Sequence, residues 1–167
     1  MSVSDELLDV VDEQDRIIGV KRRGDIHAQG LMHRAVHILL FNSAGQLFLQ
    51  KRSMSKDEQP GKWDTSAAGH VDSGEDYDSC ARREIGEELG IEGDVKLEPL
   101  FKLQPRPETG NEHCVVYRCC YDGPLRLQPE EIDDGAWIDP EAMDRRISAP
   151  DSELTGAIIE IWQRFRQ

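Results

Sequence analysis

Apolar and polar positions alternate, or the apolar ones run together, in short stretches along the first third of the chain, and this pattern predicts strands. Leu8-Asp9-Val10-Val11 and Arg16-Ile17-Ile18-Gly19-Val20 flank the polar quartet Asp12-Glu13-Gln14-Asp15, which reads as a hairpin. Residues 21–33 are basic and contain glycine, so a loop is expected there. Ala35 to Phe41 is nearly all apolar, the pattern of a strand covered on both faces. Asn42-Ser43-Ala44-Gly45 turns the chain and Gln46-Leu47-Phe48-Leu49-Gln50 returns it. Residues 53–62 are polar, include Pro60-Gly61, and read as a loop.

The period then changes. Ala81, Ile85 and Leu89 recur at helical spacing, which predicts a helix from about Asp76 to Leu89 closed by Gly90. Strands are expected at 95–103 and 113–121, with a loop through 129–135 and a short strand at Ala136-Trp137-Ile138. Pro140 opens a short helix. Leu154, Ile158, Ile161, Trp162 and Phe165 then form one apolar stripe, with Asp151 or Ser152 as its N-cap. The sum is an α/β chain, a mixed sheet with helices packed on it.

Composition narrows the function classes. The 167 residues amount to one domain, and 33 acids against 20 bases give a net charge of −13. Such a surface repels nucleic-acid backbones and anionic membranes, so no nucleic-acid or membrane partner is expected. A small anionic substrate fits if metal ions mask the charge. No apolar run approaches the ~20 residues of a membrane span, and the acidic start lacks a basic leader region, so a cytoplasmic location is expected. Cys80, Cys114, Cys119 and Cys120 match neither a CxxC pair nor a zinc pattern and read as reduced thiols.

The helix at 76–89 breaks local rules. Glu84, Glu87 and Glu88 stand at i, i+3 and i+4, and the last two lie where the helix dipole disfavours anions. At about 5 Å and an effective dielectric near 20, each pair repels by roughly 3 kcal/mol. They are either a solvated face or oxygen ligands for hard divalent cations. The surrounding pattern decides between these. Gly69, Glu75, Arg83, Glu84, Ile85, Glu87, Glu88, Gly90 and Ile91 fill every defined position of a stretch that resembles the Nudix box, the signature of the Nudix hydrolases.

The resemblance implies a Nudix fold, an α/β/α sandwich carrying the box as loop-helix-loop, and cleavage of a phosphoanhydride in a nucleoside di- or triphosphate or related compound. It implies that Glu84, Glu87 and Glu88, with the Gly69 carbonyl, hold Mg²⁺ or Mn²⁺, and that Glu75 and Arg83 brace the helix. The general base stays open among Glu87, Glu112 and Glu131. Arg52 and Lys62 are candidate phosphate contacts. Residues 1–30 read as an N-terminal hairpin extension and 31–167 as the Nudix domain, and a homodimer is in keeping with the family.

Residues 27–70, with HAQGLMHRAVHILLFNSAGQLFLQKRS and KDEQPGKWDTSAAGH, also resemble isopentenyl-diphosphate isomerase, a relative with the same fold. In that group, histidines at positions like His27, His33 and His70 bind a metal with two glutamates. Glu112 matches one of these, and Gly110 stands where the other is expected. Ala68 replaces the isomerase's catalytic cysteine, and the box is intact rather than degraded. The expectation is therefore hydrolysis, with isomerisation and non-catalytic nucleotide binding as rivals. His33 and His70 are read as structural hydrogen-bonders and His27 as a surface loop residue.

Overall fold

A computed structural model describes residues 5–150 and 152–167. Its elements run β1 (Leu7–Val11), β2 (Ile17–Arg22), α1 (Arg23–Gln29), β3 (His33–Phe41), β4 (Leu47–Arg52), β5 (Trp63–Asp64) and β6 (Ala67–His70). There follow α2 (Tyr77–Leu89), β7 (Glu98–Leu103), β8 (Glu112–Cys120), β9 (Ile132–Ile138), α3 (Pro140–Ile147) and α4 (Gly156–Phe165).

β3 organises the main sheet. It runs parallel to β8 from His33↔Glu112 to Phe41↔Cys120, meets β4 at Phe41↔Leu47, and pairs antiparallel with β6 through Ala35↔His70 and Val36↔Gly69. β7 lies outside β8, and β5 and β9 pair with β4. Successive residues of β3 point to opposite faces. Val36, Ile38 and Leu40 pack under α2 with Ala81, Ile85 and Leu89. Leu39 and Phe41 pack under the C-terminal helices with Met143, Ile158, Ile161 and Trp162. Helices cover both faces, so the expected α/β/α sandwich is what the chain forms.

Several boundaries differ from expectation. The stretch read as a loop at 21–33 contains α1, which ends on Gly30 in the left-handed region (φ 63°). Only Ile26 of α1 joins the apolar cluster with Leu8 and Val10, so no helical period is visible in the sequence. The last helix starts at Gly156, capped by Thr155, whose Oγ1 accepts the Ile158 N–H and donates to Asp64. Ser152 is not its cap, and Asp151 lies outside the described residues. Leu154 instead bridges to Trp63 of β5. β9 extends back to Ile132 through Asp133-Asp134-Gly135, which read as turn residues. They lie in a mostly exposed strand along β4, and a Cβ at Gly135 would fall 2.2 Å from the Phe48 ring.

The β1–β2 hairpin is tied to the body by two carboxylates. Asp9 accepts from Ser73 Oγ and the Gly74 N–H, and Asp15 accepts from Arg34, Tyr77 and Lys102. No helix among the described residues is long and apolar enough to cross a membrane.

Candidate active site

α2 begins on Asp76, whose side chain caps Ser79 N–H, and stops at Gly90 in the left-handed region. Its buried face carries Ala81, Ile85 and Leu89, and with them Glu84 and Glu88. These two acids lie against β6. Ala68 N–H donates to Glu88 Oε1 at 2.9 Å, and Glu84 closes over Gly69. Glu87 is more exposed, 57% of its side chain, but it lines the same cavity as the other two and accepts from the Arg83 Nη1 that also reaches Glu84. Burial, the Glu88 charge and the Glu87 charge push Glu84 up, and burial pushes Glu88 up. Buried carboxylates that resist ionisation beside one another are a donor set for a hard cation, which removes their repulsion. The residues therefore fit Mg²⁺ or Mn²⁺. Arg83 braces them, forking onto both oxygens of Glu75 at 2.9 Å and reaching Glu84 at 2.8 Å and the His70 carbonyl at 3.2 Å.

A second cluster stands at the other end of β6. The parallel β3–β8 register sets His33 opposite Glu112, the β3–β6 register sets His70 beside Ala35, and α1 adds His27. The ring centroids lie 5.0–5.4 Å apart, and one ligand atom from each histidine falls within 4.8 Å of the others. Glu112 Oε2 is 2.9 Å from His70 Nε2 and 3.3 Å from His33 Nε2. Burial works against the charge on Glu112, but His33 and His70 overcome it and hold its carboxyl well below the usual range. His33 Nδ1 lies 3.0 Å from the Leu31 carbonyl, and its buried Nε2 faces the Glu112 carboxylate at 3.3 Å without a well-aligned hydrogen bond. An imidazole anchored through one nitrogen, with the other turned toward a carboxylate and two further imidazoles, is the arrangement of a metal ligand. The three histidines, read separately as hydrogen-bonders and a loop residue, thus converge on one point. The missed signal was α1, which carries His27 inward.

Both clusters open into one cavity of about 900 Å³. Among the described residues it is lined by eleven carboxylates and by four cations, Arg23, Arg52, Lys56 and Arg83, so an anionic ligand needs added positive charge there. Arg52 lies 3.5 Å from Asp64 and donates to the Glu58 carbonyl at 3.1 Å. Lys62 is exposed and does not line the cavity. Lys56 does, paired with Glu131, and Arg23 does, with Nε 3.4 Å from His70 Nδ1. Neither is marked in the sequence, since Lys56 lies in a polar loop and Arg23 in the basic stretch expected to be a loop.

The NUDIX domain model matches residues 31–156, three-quarters of the chain. The chain belongs to the Nudix hydrolase family. An uncharacterised Nudix hydrolase of Pseudomonas aeruginosa is 45% identical over 147 residues, covering 87% of this chain and 86% of that protein. An isopentenyl-diphosphate Delta-isomerase of Serratia proteamaculans is 36% identical over 138 residues, 81% of this chain and 77% of that protein. A crystal structure from Deinococcus radiodurans superposes with a TM-score of 0.86 at 35% identity, over 97% of this chain and 100% of the other. In this Nudix chain, Arg23 and His27 come from the segment before the matched domain, so the N-terminal part helps to build the cavity.

Proposed function

We propose that this Nudix protein hydrolyses a phosphoanhydride bond in a nucleoside di- or triphosphate, or in a related nucleoside-diphosphate compound, with Mg²⁺ or Mn²⁺. The observation that carries the reading is the pair of buried carboxylates, Glu84 against Gly69 and Glu88 against Ala68, in a cavity dominated by acids. Glu84, Glu88, Glu87 and the Gly69 carbonyl are the groups that would hold the cation. Once bound, it supplies charge neutralisation of the diphosphate and a lowered pKa for the attacking water.

The chain's own residues do the rest. Arg23, Arg52 and Lys56 bind phosphate oxygens, and Arg83 keeps Glu84 in place. Glu112 is committed to His33 and His70, which leaves Glu87 and Glu131 as proton acceptors. Glu131 is assigned the role of base. Its partner Lys56 can pass to a substrate phosphate as the carboxylate turns to the water. No Trp, Tyr or Phe lines the cavity among the described residues, so recognition rests on the diphosphate rather than on stacking of a base. The test is hydrolysis of a diphosphate panel by wild type and Glu131→Gln. Metal-dependent turnover that falls sharply in the variant supports the assignment.

A second reading is isomerisation, favoured by the convergence of His27, His33, His70 and Glu112. Against it, Ala68 lines the cavity with a methyl group, which neither gives nor takes a proton. Formation of an isomerised isoprenyl diphosphate by purified protein would establish this reading in place of hydrolysis.

A further inference from the structure

Glu88 is oriented by a residue outside the Nudix box. Its Oε1 receives two donors, the Ala68 N–H at 2.9 Å and Gln50 Nε2 at 3.4 Å. Gln50 sits on β4, 3% exposed, and its Nε2 also donates to the Ser66 carbonyl at 3.2 Å. Ser66 is itself fixed. Its hydroxyl donates to the Phe48 carbonyl at 2.6 Å and accepts the Leu40 N–H at 2.8 Å. A chain of buried hydrogen bonds therefore runs from the backbones of β3 and β4 through Ser66 and Gln50 to one oxygen of Glu88. Gln50 is absent from the cavity lining, whereas Glu88 is part of it. Both donors fall on Oε1, which leaves Oε2 as the oxygen available to a ligand.

We propose that Gln50 is a positioning residue for the metal site: it holds Oε1 of Glu88 so that Oε2 is presented to the cation. The inference rests on the reading of Glu84 and Glu88 as cation ligands. A neutral amide suits the task. A lysine there would neutralise the carboxylate and compete with the cation, and an acid would repel it. An apolar side chain would leave Oε1 with a single donor and the carboxylate free to rotate. Outer partners of this kind orient a metal ligand by hydrogen bonding to it without lining the cavity themselves.

The test is Mn²⁺ titration, followed by electron paramagnetic resonance, of wild type, Gln50→Met and Gln50→Leu, with thermal midpoints taken in EDTA. Two apolar replacements of different shape separate loss of the donor from loss of packing. The expected result is Mn²⁺ binding weakened about tenfold or more in both folded variants. The Mn²⁺ concentration for half-maximal hydrolysis should rise by the same factor, and kcat at saturating Mn²⁺ should change less. Wild-type binding with both variants within about twofold of it overturns the role of Gln50 alone. No Mn²⁺ binding by wild type, or binding that Glu88→Gln leaves unchanged, overturns the ligand reading and this role with it.

Discussion

The carboxylate of Glu84 fills the space that any side chain at residue 69 would need: a Cβ built on Gly69 would lie 2.2 Å from Glu84 Oε1 and 2.3 Å from its carboxyl carbon. Gly69 pairs with Val36 of β3, the central strand of the sheet, which limits how far its backbone can retreat. Gly69→Ala is expected to fold with a loss of about 1–3 kcal/mol from overpacking, and to displace Glu84. Metal-dependent hydrolysis should fall by about 100-fold, the scale of an ångström-sized misplacement. Urea unfolding alongside steady-state kinetics checks both.

Glu84 and Glu88 make a pH signature. Burial pushes both carboxyls above the ordinary value of 4.5, with the Glu88 charge adding to the effect on Glu84. The folded protein then keeps protons that the unfolded chain releases near pH 4.5. Their contribution to stability is complete below that pH and is lost as the pH rises through the raised folded values. Without metal, stability should drop between pH 5 and pH 8 by on the order of 1–3 kcal/mol from this pair. Saturating Mg²⁺ or Glu88→Gln should flatten the slope. Unfolding curves in EDTA and in Mg²⁺ across that range are the check.

Asp15 has the opposite sign. Burial opposes its charge, but bonds from Lys102, Arg34 and Tyr77 prevail and hold its carboxyl below 3.8. Its contribution is present above pH 3.8 and lost as the pH falls through the lower folded value. Asp15 has a left-handed backbone (φ 63°), which asparagine tolerates. Asp15→Asn should therefore cost about 2 kcal/mol at pH 7 by unpairing Arg34 and Lys102. The gap from wild type should narrow below pH 3.8, which paired denaturation curves would show.

The histidine cluster predicts a second, nitrogen-rich cation site separate from the box carboxylates. Imidazoles favour late first-row ions over Mg²⁺. Addition of Co²⁺ should give visible absorption bands that disappear in His33→Ala, and Mg²⁺ binding at the box should survive that change. Bands unaltered by His33→Ala would assign the Co²⁺ to other residues.

The layers of the fold were legible because they rest on local signals. The two-faced apolar run of β3, the Asp76–Gly90 limits of α2 and the stripe of α4 are each written within a dozen or so residues. α1 was hidden because seven residues with one inward apolar side chain carry no period. The site divides the same way. Glu84, Glu87, Glu88, Gly69 and Arg83 form one continuous pattern, whereas the burial of Glu84 and Glu88, with Glu87 left more exposed, depends on how α2 docks. His27, His33, His70 and Glu112 come together only through the parallel β3–β8 register and the turn of α1. The Lys56–Glu131 pair and the reach of Gln50 to Glu88 are contacts over 75 and 38 residues that no local pattern announces.

The central claim is hydrolysis at the box carboxylates. Its most direct test is turnover of a panel of nucleoside di- and triphosphates, nucleotide sugars, dinucleoside polyphosphates and isopentenyl diphosphate, with Mg²⁺ or Mn²⁺, by wild type and Glu88→Gln. The expected result is metal-dependent phosphoanhydride cleavage that falls more than about 100-fold in Glu88→Gln, the loss of several kcal/mol of charge stabilisation. Folded, metal-binding protein that turns over nothing in the panel, or turnover unchanged by Glu88→Gln, would contradict it.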